Sequence, residues 1–259
     1  DPNWAGRDRF ILSGGHASLT QYVQLYFSGY GLTLDDLKYF RGGADTRTPG
    51  HPEYGLTPGI EMTTGPLGQG VASAVGFAYG QRYERGLLDP DAPEGKSPFD
   101  HKVWVICGEG DIEEGVSGEA SSLAGNEQLG NLFVFFDANH IQIEGETKIA
   151  LDENVIERYK AYGWYTDEFS FIQPDGSYKE DIEGLSKVIE KAEQVNFDEY
   201  APGANVRLDV TKTVKSAKDA FFPQCEDFAH FHMDGKSINV KPVAPESEPF
   251  TLFGVRACD

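Results

Sequence analysis

Lys102-Val103-Trp104-Val105-Ile106-Cys107 runs straight into Gly108-Glu109-Gly110-Asp111. A helical stretch from Glu113 to Ala124 follows, and Leu132-Phe133-Val134-Phe135-Phe136 then opens onto Asp137-Ala138-Asn139-His140-Ile141. Two short β-branched and aromatic runs bracketing a helical one predict a strand, helix, strand crossover. Such units pack as right-handed parallel pairs, and their ligands sit at the carboxyl ends of the strands. Residues 107–115 and 137–145 are therefore the places to look for chemistry. Outward from this unit the same alternation continues. Helices are expected over Ser18–Phe27, over Leu34–Phe40 behind a capping-box-like Thr33 and Asp36, over Asn154–Tyr162 and over Ile182–Glu193, with a further strand at Val206–Val210. A glycine-rich opening, Gly65 to Gly70, leads into a helix over Val71–Arg85, whose Ala72, Ala74, Gly76 and Ala78 offer a slim face for burial. The expected fold is α/β, a parallel sheet of five or more strands with helices on both faces. It spans residues 1–211, and a weakly patterned segment or linker, rich in proline over Lys241–Phe250, occupies 212–259.

Composition narrows the function classes. Asp and Glu outnumber Lys and Arg by 42 to 22 in 259 residues, and a net charge of −20 repels nucleic-acid phosphates and anionic membranes. No apolar run approaches the roughly 18 residues of a spanning helix. Cys107, Cys225 and Cys258 form neither a disulfide framework nor a metal-ligand spacing, so reduced thiols and a cytoplasmic setting are expected. The chain opens at Asp1 without an initiator Met and reads as processed or trimmed. The acidity fits either a salt-rich environment or simply a soluble surface.

Three constellations could carry chemistry. Gly108-Glu109-Gly110-Asp111 at a strand-to-helix junction lets backbone approach a phosphate. Its carboxylates would reject that phosphate unless a divalent cation sat between them, and Asn139 with a nearby backbone carbonyl could complete an oxygen-rich shell. His16 and His51, each in a Gly- and Pro-rich loop, are imidazoles placed to exchange protons near neutral pH. Glu113 and Glu114 stand in a first helical turn, where acidic residues commonly complement the dipole. His101 and His140 read as solvated or supporting groups. His230 and His232, flanking Phe231, read equally as one face of a strand or as a site.

With these residues in view, the chain resembles the transketolase family over about residues 1 to 165. Six co-linear segments carry the resemblance: Arg7 to Ser13, Gly15-His16, Thr48 to Glu53, Thr63 to Gly70, Ser121 to Gly125 and Ala161 to Trp164. The resemblance implies a thiamine-diphosphate-binding fold and transfer of a two-carbon ketol unit from a ketose phosphate to an aldose phosphate. Carried over, His16 and His51 would lie near the reaction centre, and Gly65, Pro66 and Leu67 would line the cofactor pocket. Gly108 and Gly110 would meet the diphosphate, and Glu109, Asn139 and the Ile141 carbonyl would hold Mg2+ or Ca2+. Glu114 would join an acidic network at a subunit interface.

Glu109 departs from the family's aspartate by one methylene, which makes Asp111 a possible substitute ligand. The family's preceding helical segment with its own histidine has no match here, and His230 and His232 are candidates for a later one. The family's pyrimidine-binding domain is expected to come from elsewhere, as a domain or subunit of a homodimer or heterotetramer. The chain alone is then expected to be inactive. The alternatives are a non-catalytic scaffolding subunit of a thiamine-diphosphate complex, or a specialised split enzyme with another acceptor.

Overall fold

The computed structural model describes residues 3–195, except 94 and 143–144, together with the backbone of 229–234 and 237–242. The chain divides into two units, Asp1–Val206 and Arg207–Asp259. The first is built on β1 (Arg9–Leu12), β2 (Val103–Gly108) and β3 (Leu132–Asp137), parallel and in the order β1-β2-β3. Arg9 pairs with Val103, and Val103 in turn with Leu132. The crossover predicted from residues 102–137 is thus the centre and one flank of the sheet. β1 was not anticipated as a strand, because four residues are too short to show a period. Among the described residues the sheet has three strands rather than five, and the Val206–Val210 strand lies outside them.

Alternation sorts the strands' side chains. Val103, Val105 and Cys107 are buried with Ile11 against α3 (Gln69–Leu88) and Ala124, whereas Trp104, Phe133 and Phe135 stack on the other face. There Lys102 lies over the Trp104 and Phe133 rings and pairs with Glu193 of α7 (Ile182–Glu193). The slim face of α3 differs from the expected one. Ala74 and Ala78 are fully buried, whereas Gly76 is exposed, because residues two apart on a helix do not share a face. Gly70 completes that stripe: a Cβ there would come within 2.5 Å of Ser13 Cα.

α1 (Ser18–Phe27) and α7 have the predicted bounds, and α2 (Leu34–Lys38) starts at the Thr33–Asp36 capping box. Tyr22 and Leu25 of α1 form a second core with Leu32 and Ile60. The crossover helix is two pieces, α4 (Glu109–Glu113) and α5 (Gly115–Asn126), because Glu114 is extended. β4 (Ile141–Gln142) and β5 (Gly145–Glu146) make a short hairpin after β3, and α6 (Val155–Ala161) follows it. Tyr159 of α6 packs into the main core, its hydroxyl pushed up to about 12 by burial. A Cβ at Gly125 of α5 would collide with the Tyr162 carbonyl.

In the second unit β6 (Ala229–Asp234) and β7 (Ser237–Pro242) form an antiparallel hairpin, so Lys241 and Pro242, expected in a linker, belong to a strand. His230 and His232 are at alternate positions of β6, the strand reading of that pair. No helix among the described residues is long and apolar enough to cross a membrane.

Candidate functional site

The carboxyl ends of the three strands open onto one cluster of loops, and a single carboxylate forms its floor. Asp111 is fully buried. Its Oδ1 accepts the Ser13 hydroxyl at 2.6 Å and the Gly68 N–H at 2.8 Å, and its Oδ2 accepts the Gly108 N–H at 3.1 Å. The Ser117 hydroxyl donates to the Asp111 carbonyl at 2.5 Å, and Ser13 Oγ accepts the Val71 N–H at 3.2 Å. The loop after β1, the start of α3, the β2–α4 junction and α5 therefore share one anchor. Charge-assisted hydrogen bonds of this kind are roughly twice as strong as neutral ones. With both oxygens engaged and no solvent access, Asp111 is not a substitute metal ligand. It is the floor's fixed anion.

Glycines bring the loops into contact above this floor. A Cβ at Gly15, beside His16, would meet Thr64 Oγ1 and Gly65 N at 3.0 Å, and the Thr64 hydroxyl donates to the Leu12 carbonyl at 2.8 Å. Gly65, at φ +143°, has a backbone that calls for glycine, and a Cβ there would stand 3.4 Å from the His51 ring, in ordinary contact. Gly110 sits against Leu67, and Gly68 against Glu114. His16, His51, Gly65, Leu67, Gly110 and Glu114 thus occupy one neighbourhood. His16, His51, Pro66, Leu67 and Glu114 are exposed to a prospective ligand. Nothing stands within 4 Å of a Cβ built on Gly108, so the junction has room on its outer side.

The turn after β3 faces Glu109. Glu109 is largely buried, yet its Oε1 accepts the His140 N–H at 3.0 Å, and the His140 ring stands 3.4 Å away. His140 has a left-handed backbone, φ +59°, at the turn between Asn139 and Ile141. Asn139 Oδ1 accepts the Ile141 N–H at 2.9 Å, and its amide donates to Asp137 at 3.1 Å. A carboxamide oxygen retains a second lone pair, and Glu109 Oε2 takes no hydrogen bond among the described residues. Hard oxygen donors on two facing segments suit Mg2+ or Ca2+, so the residues fit such an ion.

Behind this turn is a cavity of 290 Å³ lined by Glu109, Glu113, His140, Glu153 and Glu168 among others. Burial, then the Glu109 charge, raises the Glu113 carboxyl above its ordinary value. Cys107 is a core residue, and burial, then the Asp111, Asp137 and Glu109 charges, pushes its thiol far up, which disfavours the reactive thiolate. His101 lies at the amino end of β2, its ring near the Pro98 carbonyl, and burial lowers it. The anchoring roles of Ser13, Thr64 and Ser117 carry no signal in sequence, because their partners are 52 to 98 residues away or lie across a helix break.

Comparison with known proteins gives a concordant result. Residues 1–198 match the family model described as the thiamine diphosphate binding domain of transketolase. The transketolase of Mycobacterium tuberculosis is 56% identical over 195 residues, covering 75% of this chain and 27% of that protein. The transketolase of Geobacillus stearothermophilus is 47% identical over 192 residues, covering 74% and 27%. Among solved structures, transketolase from Leishmania mexicana superposes with a TM-score of 0.68 at 42% identity, over 76% of this chain and 28% of that one. The chain spans about a quarter of the length of the curated relatives it matches.

Proposed function

The chain belongs to the transketolase thiamine diphosphate-binding domain family, and from that premise we propose that it is the diphosphate-binding half of a ketol-transferring enzyme. The observation that carries the reading is the convergence of the Ser13–His16, Gly65–Gly68 and Gly108–Asp111 loops on one buried carboxylate at the carboxyl ends of the sheet, with the His51 ring against Gly65. Glu109, Asn139 Oδ1 and the Ile141 carbonyl would hold Mg2+ or Ca2+ against the diphosphate, with Gly108 and Gly110 giving it room. Gly65, Pro66 and Leu67 would flank the cofactor. Thiamine diphosphate, when bound, supplies the electron sink for breaking and remaking a carbon–carbon bond beside a ketone.

The chain's own groups orient and protonate. The exposed imidazoles of His16 and His51 are placed to bind sugar hydroxyls and to move protons at the reacting carbons, passing a two-carbon unit from a ketose phosphate to an aldose phosphate. Glu114, exposed at the helix break beside Gly68, would face a partner subunit's acidic network. A pyrimidine-binding domain or subunit completes the centre, in a homodimer or heterotetramer in the cytoplasm.

The test is calorimetric titration of thiamine diphosphate with and without Mg2+ or Ca2+, on this chain and on its mixture with a separately expressed pyrimidine-binding half. Metal-dependent binding that tightens with the second half and brings ketol transfer is the expected outcome. Absence of binding in both settings would sink the catalytic reading and leave a scaffolding subunit.

A further inference from the structure

Among the described residues the His51 ring takes no hydrogen bond, yet the backbone of its loop is gripped from α1. The Ser18 hydroxyl donates to the Gly50 carbonyl at 2.8 Å. The Tyr22 hydroxyl reaches the Pro49 carbonyl at 2.9 Å and the His51 carbonyl at 3.3 Å. Ser18 and Tyr22 are four residues apart, on one face of α1, and both are fully buried. Burial pushes the Tyr22 hydroxyl up to about 12, so it stays protonated and donates. Its ring packs edge-on against Phe40, with Arg41 over the far side of that ring and the Arg41 N–H bonded to the Thr48 carbonyl. Two hydroxyls on a helix that begins two residues after His16 therefore face three successive carbonyls, those of Pro49, Gly50 and His51, with the Tyr22 proton nearer Pro49.

We propose that Ser18 and Tyr22 are positioning residues, which hold the Pro49–His51 backbone from α1 and so set His51 at a fixed place relative to His16. The inference rests on the reading of those two histidines as the proton-handling pair. A core tyrosine needs no hydroxyl to fill space, and burying one costs free energy unless it is satisfied. Here it is satisfied by the loop that carries His51, and the chemistry proposed for that loop depends on placement, where about an ångström of misplacement can cost on the order of a hundredfold in rate.

The experiment needs no cofactor. Histidine-selective proton–carbon spectra are recorded on the whole chain and on the Tyr22→Phe, Ser18→Ala and Ser18→Thr variants. His101, at the opposite end of β2, is the internal control. The expected result is that Tyr22→Phe and Ser18→Ala shift or broaden the His51 ring signal, leave His101 in place, and that Ser18→Thr restores His51. Folded Tyr22→Phe and Ser18→Ala proteins with an unmoved His51 signal would overturn the proposal. Should Tyr22→Phe fail to fold, seen as loss of the His101 signal as well, the Ser18→Ala and Ser18→Thr pair decides in the same way. None of these outcomes depends on thiamine diphosphate binding, so failure here is separable from failure of the proposed function.

Discussion

Two carboxylates stand two residues apart at the mouth of β2 and live in different regions. Asp111 belongs to the floor, fully buried with three donors on its oxygens. Glu109 belongs to the rim, where its one backbone donor comes from an exposed turn and its neighbour His140 has a side chain 82% exposed. Residues two apart on a helix face nearly opposite ways, so one short turn sets the first carboxylate against the turn after β3 and the second against Ser13 and Gly68. The floor is pre-paired and rigid, and the rim keeps oxygens in reserve. The site proposed, for a cation and a diphosphate, would need both: fixed loops below, and unspent ligands above.

The most forceful way to break that contrast is Asp111→Ala. Three donors would lose their acceptor inside the core, and the expected loss is about 3 to 5 kcal/mol of stability, read as a lower midpoint in urea unfolding. A second probe sharpens the contrast from the other side. Glu109→Gln should leave the urea midpoint almost unchanged while weakening Mg2+- or Ca2+-dependent thiamine diphosphate binding about tenfold, or roughly 1.4 kcal/mol. If it unfolds the protein instead, the rim is as structural as the floor.

The smallest effect is expected far from both. Thr33→Ala removes the α2 cap and should cost about 1 kcal/mol without touching cofactor binding. The same cap carries a pH signature. The Thr33 hydroxyl holds the Asp36 carboxyl below its ordinary value. That contribution is present above the unfolded-state value and is lost as pH falls through the folded one, so the Thr33→Ala deficit should shrink in urea titrations taken below about pH 4.

The same pair shows what could be read in advance. The 102–137 crossover was legible because two buried strands and their helix each carry a strong local pattern, and α1 and α7 because their boundaries coincide with turn and cap residues. Glu109, Asn139 and the two loop histidines stand out in sequence as candidates in unusual loops, and the structure sets Glu109 against the turn that carries Asn139 and His51 against Gly65. Asp111 reads in sequence only as a possible stand-in for Glu109, because the groups that engage it, Ser13 and Gly68, are distant in the chain. The break at Glu114 was invisible for a related reason, since a glycine on each side of a short acidic stretch fits one helix or two. β1 and the Ser18 and Tyr22 contacts exist only in three dimensions.

The pairing of β1 with β2 also has a consequence in time. Arg9 is aligned with Val103, so β1 can dock only after the chain between them has looped back, whereas β2 and β3 are joined by a single helical crossover. Non-local closure of this kind is slow to find. The nucleus is expected in the 103–137 unit, with β1 arriving late, which pulsed hydrogen exchange would register as delayed protection of the Arg9 and Ser13 amides that bond to β2; early protection there would refute it. His16, His51 and the glycine-rich opening all lie within that late-closing loop. A nascent chain therefore carries every residue of the site well before it possesses the site itself.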